Sequence, residues 1–252
     1  MPRYDFRSPR LFVDSPLSEG QALPLDRSQA NYLINVLRLT AGDPVLVFNG
    51  RDGEWRALIA LAGKKAARLD VTERTREQTR PGDLHYAFAP LKHARLDYVV
   101  QKAVEMGVSH LRPVITRYTQ SERLNLDRVR ANAIEAAEQC GILNIPEIAA
   151  PVALGKFIGD WVAERLLVFC DEDADVKHPI TALSEARGSA LDGPSRITLL
   201  VGPEGGFTDD ERAALLELPD MVRLSLGPRI LRADTAAVAA LGLVQAALGD
   251  WR

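Results

Sequence analysis

Up to residue 73, apolar positions fall in short runs of the kind that strands make. Leu11-Phe12-Val13, Pro44-Val45-Leu46-Val47-Phe48 and Trp55-Arg56-Ala57-Leu58-Ile59-Ala60-Leu61 are apolar or alternating, and a period of two sets one face of a strand on a core. Asn49-Gly50 and Asp52-Gly53 lie between two of these runs, turn dipeptides that predict a hairpin because their residues tolerate positive φ. One helix is predicted from Ser28 to about Leu39, with Tyr32, Leu33, Val36 and Leu37 on one face. Short strands and a single helix predict a compact barrel-like domain over residues 1–73. The polar run Glu73-Arg74-Thr75-Arg76-Glu77-Gln78-Thr79-Arg80-Pro81-Gly82 ends in Pro-Gly and predicts a linker at residues 74–82.

From residue 83 to 252 the rhythm becomes strand, helix, strand, helix. Strands are predicted at residues 84–89, 111–115, 166–169, 197–201 and 222–226, and helices at 95–106, 127–140 and 234–248. Gly107 and Gly141 stop the first two helices. The runs Leu166-Leu167-Val168-Phe169 and Ile197-Thr198-Leu199-Leu200-Val201 are continuously apolar, as strands buried on both faces are. Such alternation predicts an α/β domain with a mainly parallel sheet.

Composition narrows the class. Hydrophobic residues make up 46% of the chain and charged residues 26%, ordinary values for a globular protein. No apolar run approaches the ~18 residues of a membrane span. The N-terminal segment lacks the apolar core of a signal peptide, which predicts a cytoplasmic protein. Cys140 and Cys170 are far apart, so neither a disulfide scaffold nor a zinc site is expected. His85, His93, His110 and His178 show no metal-ligand spacing either. Residues 1–80 hold 13 Lys and Arg against 10 Asp and Glu, and the remainder 18 against 24. A basic N-terminal part, with Arg3, Arg7 and Arg10 in its first ten residues, either steers toward phosphate or is an ordinary solvated tail.

Four segments can carry chemistry. The strand ending at Val201 runs into Gly202-Pro203-Glu204-Gly205-Gly206-Phe207, at the strand end where open α/β sheets bind ligands. Three glycines permit close approach of backbone groups to a ligand; a purely structural turn is the rival reading. Thr208-Asp209-Asp210-Glu211 is a capping box opening a helix. The loop is neither GxGxxG nor a P-loop, so neither a dinucleotide nor a triphosphate is indicated. In the second segment, Leu226-Gly227-Pro228-Arg229-Ile230-Leu231-Arg232, two arginines flank two apolar residues beside a helix start. Asp234 or Thr235 is expected to cap that helix. Arg229 and Arg232 are placed to grip phosphate or a developing oxyanion. In the third, Lys92, Arg95 and Lys102 either touch phosphate or form the polar face of a helix. In the fourth, Glu135-Ala136-Ala137-Glu138-Gln139-Cys140-Gly141, Cys140 reads as a buried small residue rather than a nucleophile.

Together, in this order, these segments resemble the RsmE family, the 16S rRNA uridine N3-methyltransferases of the SPOUT superfamily. Pro9-Arg10-Leu11-Phe12-Val13 and Val36-Leu37-Arg38 are similar to that family's PUA-like RNA-binding module, and the resemblance covers essentially the whole chain. It implies a trefoil-knotted C-terminal SPOUT domain, a homodimer, the 30S subunit or its 16S rRNA as substrate, and S-adenosylmethionine (SAM) bound in a bent form. It implies that Leu200, Gly202, Pro203, Glu204, Gly205, Leu224, Leu226, Gly227, Ile230, Leu231, Thr235 and Ala236 form the cofactor site. Arg232, with Arg229 and Glu204, would serve catalysis, and Arg7, Arg10, Arg38, Lys92, Arg95 and Lys102 would meet RNA. Many family members carry Arg after Cys-Gly where this chain has Ile142, so Arg128 or Arg130 would have to replace that contact. Glu204 is either a base or a structural acceptor within its loop, with the structural role favoured. The rival functions are a SPOUT enzyme for a ribose 2′-hydroxyl and a non-catalytic RNA-binding assembly factor.

Overall fold

The computed structural model describes every residue except 1–4, 6, 62–66, 122, 176–177, 191–195 and 252, and the backbone alone at residues 61, 93 and 187–190. Arg3 therefore lies outside the described residues. The chain divides into two compact units, Met1–Arg80 with Ala137–Ile145, and Pro81–Ala136 with Pro146–Arg252.

The first unit is a five-stranded sheet in the order β1-β3-β4-β5-β2, made of β1 (Arg10–Phe12), β2 (Ala22–Pro24), β3 (Pro44–Phe48), β4 (Glu54–Leu61) and β5 (Ala67–Arg76). β1 and β3 are parallel and the other pairs antiparallel. Alternate residues build its core: Val45 and Val47, Ala57 and Ile59, Leu69 and Val71 pack with Leu11, Leu23 and Leu33. The predicted hairpin turns through Gly50 and Gly53, both at positive φ. A Cβ at Gly53 would lie 2.2 Å from the Arg76 carbonyl oxygen, so only glycine fits there.

Two expectations change in this unit. β5 runs on to Arg76, through residues expected to be linker. Its outward positions are charged and find cross-strand partners, Glu73 on Arg56 at 2.6 Å and Arg76 on Glu54 at 2.7 Å, so apolar periodicity does not reveal them. The predicted helix begins as α1 (Arg27–Ala30), capped by Asp26 and Gln29 in a capping box, and continues as a π-helix over Asn31–Val36. The Leu37 N–H donates to the Tyr32 carbonyl, five residues back, at 2.9 Å. The wider turn breaks the 3.6-residue spacing, which leaves Leu33 buried and Val36 60% exposed.

Ala137–Ile145 completes the unit through a buried ion network. The Arg10 guanidinium pairs with Glu54 at 2.8 Å and donates to the carbonyls of Ala137, Glu138 and Ile142. Arg76 donates to the Gly141 carbonyl at 2.9 Å and also pairs with Glu54. Two cations thus satisfy the orphan carbonyls at a helix C-terminus, the negative end of its dipole. Arg10 also lies 4.3 Å over the Phe48 ring, covering the second face of β3.

The second unit is a parallel sheet in the order β12-β10-β11-β6-β7-β8. Its strands are β6 (Leu84–Phe88), β7 (His110–Ile115), β8 (Glu147–Ile148), β10 (Leu166–Cys170), β11 (Ile197–Val201) and β12 (Met221–Leu224), and β9 (Val152–Ala153) pairs with β7. The helices are α2 (His93–Glu105), α3 (Leu126–Cys140, whose last turn belongs to the first unit), α4 (Leu154–Gly159), α5 (Pro179–Ala190), α6 (Asp209–Leu216) and α7 (Ala233–Ala247). β10 and β11 are buried on both faces, as their unbroken apolar runs require. The chain steps from β10 to β11 in one direction, then returns across β10 to reach β12. The loops after β11 and β12 therefore face one another over the end of β10, the kind of switch point at which α/β sheets open a crevice.

Candidate active site

That crevice is a cavity of about 350 Å³, within the range of small-molecule sites. One wall is the loop after β11 (residues 201–204 with Gly206 and Phe207), and another is residues 224–231 after β12. A third, residues 169–173 at the end of β10, closes it.

Local chemistry builds each wall. Gly202 lies under the Phe207 ring, where a Cβ would come within 2.4 Å of a ring carbon. Phe207 in turn meets Phe169 edge-on at 5.2 Å, which ties the first wall to the third. The Gly206 N–H donates to the Pro203 carbonyl at 3.0 Å with Gly206 at positive φ, closing a tight turn. Thr208 and Glu211 then form the predicted capping box of α6. Gly227 turns at φ 96°.

Of the residues expected at the site, Gly202, Pro203, Glu204, Leu224, Leu226, Gly227, Arg229, Ile230, Leu231 and Ala236 line this cavity. Leu200 does not; it is buried in the core with Ala87, Leu167 and Phe169. Gly205 faces away, against Tyr118. Arg232 and Thr235 are exposed at the start of α7, just outside the wall. Neither Arg229 nor Arg232 makes an ion pair among the described residues. Arg232 itself is the N-cap of α7 and provides no side-chain cap. The expected caps, Asp234 and Thr235, lie inside the first turn, and Asp234 pairs with Arg95 at 3.1 Å. That hydrogen bond holds the Asp234 carboxyl below the ordinary carboxylate range.

Arg95 also pairs with Glu204. It joins the first wall to the start of α7 as a cross-link within the site. Arg10 is buried and bonded to Glu54 and the carbonyls described above. Lys102 pairs with Glu105 at 2.6 Å on the polar face of α2. Arg7, Arg38 and Lys92 remain exposed. Of the alternatives to a residue-142 arginine, Arg128 pairs with Asp97 through a 2.9 Å hydrogen bond and Arg130 is exposed.

Three features escaped sequence reasoning. Asp171, Glu172 and Asp173 line the cavity directly after β10; an acidic triplet at the carboxyl end of a buried strand could have pointed to them. Arg212 and Arg223 pair with Asp171 across the walls at 2.5 and 2.7 Å, contacts between residues remote in sequence. Cys140 is exposed rather than buried, because it ends a helix. Burial pushes the Cys170 thiol up to about 12, so it stays a thiol at neutral pH. At the opposite end of the sheet the His85 and His110 rings meet at a tilt of 35°, with ring centres 3.9 Å apart. Burial, with Arg165 and His110, pushes His85 down to about 3.

A parallel sheet with a glycine-walled crevice at its switch point, in a chain that also carries a small β-module, is an α/β protein with a site of small-molecule size. Residues 78–245 match the RNA methyltransferase domain and residues 25–72 the RNA methyltransferase PUA domain. Ribosomal RNA small subunit methyltransferase E of Rickettsia conorii is 31% identical over 94% of each chain. Its Synechocystis counterpart is 34% identical over 89% of this chain and 73% of its own. The structure of ribosomal RNA small subunit methyltransferase E from Neisseria gonorrhoeae, bound to S-adenosyl methionine, is 26% identical and superposes with a TM-score of 0.83, covering 98% of this chain and 100% of that one. A Legionella pneumophila structure, in complex with the bound cofactor SAM, is 30% identical with a TM-score of 0.81, covering 96% and 98%. The chain belongs to the ribosomal RNA small subunit methyltransferase E family.

Proposed function

We propose that this chain is a SAM-dependent methyltransferase acting on N3 of one uridine in the 16S rRNA of the small ribosomal subunit. The observation that carries the reading is one cavity walled by both glycine-bearing loops, with Arg229 on its wall and Arg232 beside it, neither of them ion-paired. The cavity suits an adenosyl group. Leu224, Leu226 and Leu231 offer apolar surface, and Gly202, which carries no side chain, lines the cavity beside them. When bound, SAM supplies an electrophilic methyl group.

Uracil N3 carries an imide proton and becomes nucleophilic only once that proton has passed to solvent. The negative charge then spreads onto the flanking carbonyl oxygens. Arg232, with Arg229, would orient the ring and stabilise that charge, a role worth ~3 kcal/mol per preorganised donor in other enzymes. Glu204 serves the site as structure: its carboxylate is occupied by Arg95, which also holds Asp234 and so ties the glycine loop to the first turn of α7.

The test incubates the protein and labelled SAM with 30S subunits lacking the modification. Mass spectrometry is expected to find 3-methyluridine. Methylated ribose would move the assignment to the 2′-hydroxyl, and SAM binding without transfer would favour an assembly factor. The family resemblance also supports a cytoplasmic homodimer, for which light scattering should return twice the 27.6 kDa chain mass.

A further inference from the structure

The wall after β10 holds three carboxylates in sequence, and they are not equivalent. Asp171 is buried, with Arg212 on one oxygen at 2.5 Å and Arg223 on the other at 2.7 Å. Asp173 pairs with Arg212, and its backbone carbonyl accepts from Arg223 at 2.9 Å. Two arginines thus occupy two aspartates and fix the backbone on either side of Glu172. Glu172 is exposed and has no hydrogen bond or ion pair among the described residues. Its direction is nevertheless set. Oε1 lies 3.2 Å from where a Cβ would stand on Gly206, so the carboxylate rests against the glycine loop on the cavity side. An ionised carboxylate only accepts hydrogen bonds; it needs a ligand that donates.

Position supplies the donor. In doubly wound sheets that bind nucleotides, an acidic residue at the end of the strand beside the phosphate loop accepts the ribose hydroxyls. Glu172 stands two residues past β10, the parallel neighbour of β11, whose end carries the glycine loop. We propose that Glu172 accepts hydrogen bonds from the ribose hydroxyls of the adenosyl cofactor, with Asp171, Arg212 and Arg223 as its positioning residues. The inference rests on the adenosyl-binding reading given above.

Calorimetry on the intact protein separates the two. The probes are S-adenosylhomocysteine and its 2′,3′-dideoxyribose analogue, titrated into wild type, Glu172→Ala and Glu172→Gln. Hydrogen bonds to a charged acceptor predict that wild type prefers the natural ribose by about ten- to a hundredfold. Glu172→Ala should reduce that preference to about threefold or less, and Glu172→Gln, which can still accept, should fall between. The ligand-free melting temperature should not move in either variant, since Glu172 bonds to nothing among the described residues. If Glu172→Ala kept the wild-type preference, the assignment would be overturned, even were both affinities lower, because the carboxylate would then meet another part of the ligand. A wild type that bound neither probe would remove the adenosyl reading itself.

Discussion

Among the described residues Arg229 and Arg232 have no acidic partner, whereas Arg212 and Arg223, also at this site, are consumed by Asp171. A guanidinium already paired has little left to offer a developing charge; an unpaired one beside a cavity can still form its fork. Arg232→Ala should therefore lower single-turnover methylation by about a hundredfold, near 3 kcal/mol, while calorimetric SAM affinity stays within about threefold. Loss of SAM binding instead would place Arg232 in the cofactor wall. Gly202→Ala should do the reverse. Its Cβ would displace the Phe207 ring from Phe169, an overpacking cost of ~1–3 kcal/mol, and SAM affinity and melting temperature should fall together. These residues were legible as neighbours of the crevice because the glycines and arginines sit in local, strand-terminal loops. Arg10 was not. In a basic tail it resembles a phosphate contact, and the carbonyls it caps lie 127 to 132 residues further along the chain.

Elements defined by neighbours in sequence were the readable ones. The Thr208 capping box, the hairpin turn and the buried runs of β10 and β11 all follow from local spacing. β5 and the π-helix did not, because the outer half of one depends on cross-strand charge pairs and the other on a shift in hydrogen-bond spacing. The charge network joining β1, β4 and β5 has a measurable pH signature. Burial pushes Glu54 up, but hydrogen bonds from Arg76 and Arg10 outweigh it and hold the carboxyl below its ordinary value. A depressed carboxylate contributes stability above its unfolded value of about 4.3 and loses it as pH falls through the folded one. Denaturant melts of Glu54→Gln should therefore lie below wild type at pH 7 and converge with it in acid; parallel curves would refute the coupling. Arg10→Ala, which strands a buried carboxylate, should cost about 3–5 kcal/mol at neutral pH.

At the scale of the whole molecule, alternation of β and α announced a parallel sheet, but not its order. That β11 lies between β6 and β10, with β12 beyond, is decided by crossovers that periodicity does not encode. The domain boundary was also only partly visible. A polar run ending in Pro-Gly marked the end of the first unit near Arg80, yet nothing local showed that Ala137–Ile145 returns to it. A fragment of residues 1–80 lacks the carbonyls that Arg10 and Arg76 cap, and it should fail to give a cooperative thermal transition by circular dichroism. A sharp transition in that fragment would show the returning segment to be dispensable.

The returning segment also sets a timetable. A nascent chain exposes the five strands of the N-terminal module early, but Arg10 and Arg76 meet their helix carbonyls only after residue 142 has left the ribosome. Domains made first are generally finished first during synthesis. Here the first module to emerge waits on a stretch translated after β6, α2 and β7, so maturation of the N-terminal module is tied to partial synthesis of the other.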